Sequence, residues 1–133
     1  MGTRSLTHIQ DDNNIIATIY RQFDGYPEGH GKDLQDLLSD ATLVNGFSLG
    51  DEIPATFNGM GCLAAWLPGA LKKGEIGSIY LMRPGIDDVG EEYVYTLYLS
   101  NGKLYLKIVE YDTTVYDGPL RQFDVANLPV HDD

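Results

Sequence analysis

The alternation of apolar and polar residues divides the chain into strands at both ends and helices between them. Ile15, Ile16, Ile19 and Tyr20 mark a strand over 15–22, and a weaker alternation over 4–10 precedes it. The polar cluster Asp11–Asn14 between the two predicts a hairpin. Gly25, Pro27, Gly29 and Gly31 then break regular structure. Leu34, Leu37 and Leu38 recur on one helical face, with Asp33 and Asp36 near the end where the helix dipole favours negative charge, so a first helix is expected over about 32–39. A mixed connection follows over 42–56, with Asn45-Gly46 as a turn. The next helix, from Cys62 to about Lys73, is apolar nearly all round. It is therefore expected to be buried, with Pro68 kinking or ending it.

The C-terminal half reads as strands again. One is expected over 78–83, followed by an acidic loop through Asp87, Asp88, Glu91 and Glu92. Two longer strands, 92–100 and 103–111, flank Asn101-Gly102, the strongest hairpin signal in the chain. A two-residue turn there sets Ser100 opposite Lys103, Leu99 opposite Leu104, Leu97 opposite Leu106 and Tyr95 opposite Ile108. The apolar face of this register is the core face, and a slip by one residue would exchange the faces. The other face carries Tyr98 against Tyr105, a candidate contact of a homo-oligomer. An edge strand over 113–116 and a polar tail, expected to be mobile from about residue 120, complete the chain. The order β-β-α-α-β-β-β predicts a single α+β domain: an antiparallel sheet of about five strands with two helices on one face. Arg-Gln-Phe-Asp occurs at both 21–24 and 121–124 in different surroundings, which reads as coincidence.

Charge narrows the function. Twenty acidic residues face nine basic ones, a formal net charge of −11 in 133 residues. A polymeric nucleic acid or an anionic membrane needs a positive surface, so neither is an expected partner. A small anion is compatible, because one or two arginines and some backbone amides make a locally positive pocket. No apolar run approaches the ~20 residues of a membrane span, and Met1–Ser5 lacks the apolar core of a secretion signal. With Cys62 as the sole cysteine, a cytoplasmic protein without cofactor is expected.

The densest candidate chemistry lies in the breaker segment. Arg21 is suited to grip a phosphate or carboxylate, Phe23 and Tyr26 to stack on a ring, and Asp24 and His30 to hydrogen-bond. Arg4, on the neighbouring strand, is a second cation for the same pocket. Against this stands an arginine–aspartate pair with packed turn aromatics. Asn58, Gly59 and Gly61 open the second helix, where free backbone N–H groups attract anions, although neither a Walker nor a dinucleotide fingerprint is present. The acidic loop lacks the ligand spacing of a calcium site and reads as solvated. His8, His30 and His131 lack zinc spacing. A His30–Asp24 or Cys62–His30 catalytic pair stays open, without a local signature.

Several segments together carry a resemblance: MGTRS at 1–5, YRQFDGYP at 20–27 with GHG at 29–31, VNG at 44–46, NGMGC at 58–62 and GEEY at 90–93. They resemble a family of small hypothetical proteins of bacteriophages and prophages, over about residues 1–118. That resemblance implies an accessory phage protein in the cytoplasm of a bacterial host. It brings no established activity, so no catalytic residue is carried over. By analogy of size and origin, it implies counter-defence: a non-enzymatic protein that sequesters a small, anionic, nucleotide-like immune signal. Two alternatives remain at this level, an acidic inhibitor that contacts a host defence protein directly and a phosphodiesterase-like enzyme that cleaves the signal.

Overall fold

In the computed structural model, which describes residues 2–44 and 56–128, the chain is α+β with a mixed sheet. The first hairpin pairs β1 (Ser5–Asp11) with β2 (Asn14–Arg21). A π-helical turn, Pro27–Gly31, leads into α1 (Lys32–Leu38). Two short strands, β3 (Thr42–Val44) and β4 (Thr56–Asn58), form a parallel ladder of their own beside α2 (Gly59–Lys72). β5 (Ile79–Met82), β6 (Tyr93–Ser100), β7 (Lys103–Glu110) and β8 (Thr113–Pro119) complete the main sheet. The strand order is β5-β2-β1-β6-β7-β8. The turn at 45–46 and His131 lie outside the described residues.

The antiparallel sheet of about five strands is corrected on two counts. Six strands pair, and the central pair, β1 with β6, is parallel. The cause is the connection over 83–92. It leaves the edge strand β5 and crosses the back of the sheet, where the Gly85 N–H donates to Thr18 Oγ1 and the Glu92 N–H to the Arg4 carbonyl. β6 therefore enters beside β1 and runs the same way. Glu91 accepts from the N–H groups of Asp88 and Val89, so this carboxylate holds the crossing in shape. β1 is consequently covered on both faces, and Ser5 to Ile9 are all buried. A strand buried on both faces has no reason to alternate, which explains its weak pattern.

The front face holds the core. Ile9, Ile19, Tyr95, Leu97, Leu106 and Ile108 meet Leu34 and Leu38 of α1 and Met60, Leu63 and Leu67 of α2. The β6–β7 register is the one expected from Asn101-Gly102, pair for pair. α2 starts earlier than its periodicity predicts and runs through Pro68. It is not buried all round, since Cys62 is exposed and Trp66 is 41% exposed. Past residue 120 the chain packs back: Leu120 and Phe123 are buried, and Gln35 Nε2 donates to the Phe123 carbonyl at 2.6 Å. The two Arg-Gln-Phe-Asp segments play opposite parts. Phe23 is exposed where Phe123 is buried, and Arg21 is enclosed where Arg121 is exposed.

Candidate functional site

The breaker segment closes over one end of the front face. Gly25 is buried there, donating its N–H to the Thr3 carbonyl. A Cβ on it would lie 2.8 Å from both Ser5 Cβ and the Thr3 oxygen, so glycine is required by proximity. Tyr95 donates its hydroxyl to the Gly25 carbonyl at 2.7 Å. The π-turn carries His30 into the interior, fully buried and edge-on to the Tyr95 ring with centroids 4.7 Å apart. Its Nε2 lies 2.6 Å from Thr7 Oγ1 and its Nδ1 3.1 Å from Arg21 Nη1. A guanidinium can only donate. Nδ1 is therefore the acceptor, and the proton sits on Nε2, donating to Thr7. Burial, with Arg21 beside it, pushes the His30 pKa down to about 3.

These contacts change the part assigned to Arg21. Its Nη1 also donates to Asp33 Oδ2 at 2.7 Å, and its Nε donates to the Phe23 carbonyl at 2.7 Å. Arg21 thus ties β2, the breaker segment and α1 together. The cleft beside it, about 140 Å³, is lined by Asp24 and Glu75 as well as Lys72. Lys72 Nζ there donates to the carbonyls of Gly77 and Ile79. Cations paired in this way form a poor anion site. His30, inside the wall and with both nitrogens engaged, does not reach a ligand directly or serve as a general base to solvent. Tyr26 is exposed and donates its hydroxyl to Asp24 Oδ1, which raises the Tyr26 pKa.

Across the Phe23 ring lies a second cleft, about 310 Å³, lined by Gly2, Thr3, Arg4, Gln22, Phe23, Glu92 and Tyr111, with Gly90 at its edge. Arg4 is exposed, and among the described residues its guanidinium has neither an ion pair nor a hydrogen bond. Gly90, at φ +85°, makes room for it, since a Cβ would sit 2.6 Å from Arg4 Nη1. Phe23, 48% exposed, is seated against Gly2, where a Cβ would meet Phe23 Cδ1 at 2.5 Å. The cleft therefore brings Arg4, a cation without a partner among the described residues, together with two exposed aromatic residues, Phe23 and Tyr111.

Of the residues singled out from sequence, Arg4 and Phe23 share this cleft, while Arg21, Asp24 and His30 lie on the other side of Phe23 or beneath it. Asn58, Gly59 and Gly61 are not part of either cleft. They open α2, whose far end, Lys72, lines the Arg21 cleft; a 14-residue helix puts about 20 Å between the two. Tyr98 and Tyr105 pair on the back of the sheet with centroids 5.5 Å apart. Tyr98 donates to Asp117, and partial burial with that contact pushes its pKa up to about 12. Tyr111 was missed because it reads as the end of a strand. The available signal was an aromatic in a hairpin-turn position. Glu110 pairs with Thr113, leaving Tyr111-Asp112 as the turn, with Tyr111 at φ 50°. No protein-family model, curated protein or solved structure matches the chain. Among the described residues, no helix is long and apolar enough to cross a membrane.

Proposed function

We propose that this protein is a binding module that holds a small anionic, nucleotide-like ligand in the Arg4 cleft without transforming it. In this reading it is a bacteriophage accessory protein that withdraws an immune signal from the host cytoplasm. The observation that supports it is the Arg4 guanidinium, which has no partner among the described residues and lines a cleft in a chain of net charge −11. An arginine without a partner among the described residues is available for a ligand anion, which it binds through two parallel hydrogen bonds. Holding rather than cleaving is supported by His30, whose nitrogens are both engaged inside the wall.

The test uses a panel of nucleotide signals, filtration to remove the protein, and mass spectrometry of the filtrate. The wild-type protein depletes one signal and, on heating, returns it intact. Arg4→Ala binds it roughly 10- to 100-fold more weakly, the loss of a charged hydrogen-bonding partner. Its melting temperature stays within about 2 °C, because only an exposed side chain is removed. Return of the signal as fragments would make the protein an enzyme. Unchanged affinity in Arg4→Ala would remove Arg4 from the site.

A further inference from the structure

Tyr111 stands where its backbone conformation is unfavourable. Positive φ suits glycine, asparagine and aspartate, and the corresponding turn positions of the other two hairpins of the sheet are Asp12 (φ 54°) and Asn101 (φ 52°). A tyrosine there is strained, and its side chain, 70% exposed, does not repay that strain by packing into the core. Strain of this kind persists where the side chain serves something other than stability. Its backbone is also anchored near Arg4. The Tyr111 N–H donates to the Glu92 carbonyl and the Glu92 N–H to the Arg4 carbonyl, both at 2.9 Å. The backbone thereby fixes Tyr111 relative to Arg4, and Gly2 fixes Phe23 on the same cleft.

We infer that Tyr111 selects the ligand. The molecule held in the cleft carries a planar heteroaromatic ring, gripped by Tyr111 and Phe23, beside the anionic group held by Arg4. This rests on the Arg4 reading and narrows it from small anions in general to nucleoside phosphates. Aromatic side chains stack on any nucleobase, because every base has a π-face, and arginine supplies the contact to phosphate. A cleft of about 310 Å³ has room for one such unit.

Tyr111→Asn separates selection from stability, because asparagine relieves the turn while deleting the ring. The probes for calorimetry are the four ribonucleoside 5′-monophosphates, ribose 5-phosphate as the anion without a ring, and adenosine as the ring without an anion. Expected for the wild type is binding of at least one monophosphate, roughly tenfold or more tighter than ribose 5-phosphate or adenosine. Tyr111→Asn is expected to melt about 3 °C higher. Its affinity for the monophosphate falls to the level of ribose 5-phosphate, whose own binding is unchanged. Ribose 5-phosphate binding as tightly as every monophosphate, or a Tyr111→Asn protein with full monophosphate affinity, would overturn the selection while leaving the anion site standing. Failure of every phosphate to bind would overturn both readings.

Discussion

Lowering the pH from 7 to 4 will remove about 3 kcal/mol of folding stability through His30 alone. In the unfolded chain this histidine titrates near 6.5, whereas in the fold its pKa is pushed down to about 3 by burial and by Arg21. Between those values the unfolded state binds a proton that the folded state refuses. The contribution is complete above pH 6.5 and is lost as pH falls towards 3, at about 1.4 kcal/mol per unit. His8 acts in the same direction: burial lowers its pKa, partly opposed by Glu91 and Asp87. Urea unfolding of the wild type and His30→Gln over pH 4–7 isolates the His30 share, because all other titrating groups are common to both. Glutamine can keep a donor towards Thr7 and an acceptor towards Arg21 without titrating. The stability difference between the two proteins should shrink steadily on acidification. A difference that stays flat over this range would mean that His30 is not held neutral in the interior.

Arg21→Ala is expected to destabilise the fold by about 3 kcal/mol, before any question of ligand arises. Three contacts are lost together: to Asp33, to His30 and to the Phe23 carbonyl. The Asp33 side chain is 37% exposed, so water takes over much of that loss. The larger share comes from His30 Nδ1, an acceptor left without a donor in a site closed to solvent. Lysine should restore only part of the stability, because it lacks the planar fork that reaches several acceptors at once. Chemical denaturation of the two variants measures this directly. An Arg21→Ala protein as stable as the wild type, yet unable to bind its ligand, would return Arg21 to the ligand site and refute its role as a tie within the fold.

The contrast between Arg4 and Arg21 shows where sequence reading reaches its limit. Both residues were legible as candidate cations of one pocket. Which of them is paired depends on Asp33, on the next helix, and on the π-turn that buries His30. Local pattern does not encode those placements. The β6–β7 hairpin was readable in full because turn chemistry and alternation agree there, with a core on one face only. β1 was not, because the 83–92 crossing covers its second face and removes the alternation. The apolar run of α2 overstated its burial, since its small residues and Trp66 also populate an exposed face. Tyr111 was passed over because a β-favouring residue at the end of a strand looks unremarkable until its φ is known.

The parallel seam between β1 and β6 governs how the chain finds this fold. On either side of it, β1 with β2, and β6 with β7 and β8, are nearest-neighbour ladders that close over two-residue turns. The seam instead joins Leu6 to Val94 across most of the chain, the longest-range pairing of the sheet, beside that of β2 with β5 through Thr18 and Met82. Entropy of loop closure places that event at the folding barrier. Val94→Ala should therefore slow refolding in stopped-flow measurements, whereas Val115→Ala, in the outer strand, should mainly hasten unfolding. The reverse pattern would put the barrier in the outer meander. A protein built this way draws its folding rate from the two ladders that local hairpins cannot supply, β1 with β6 and β2 with β5.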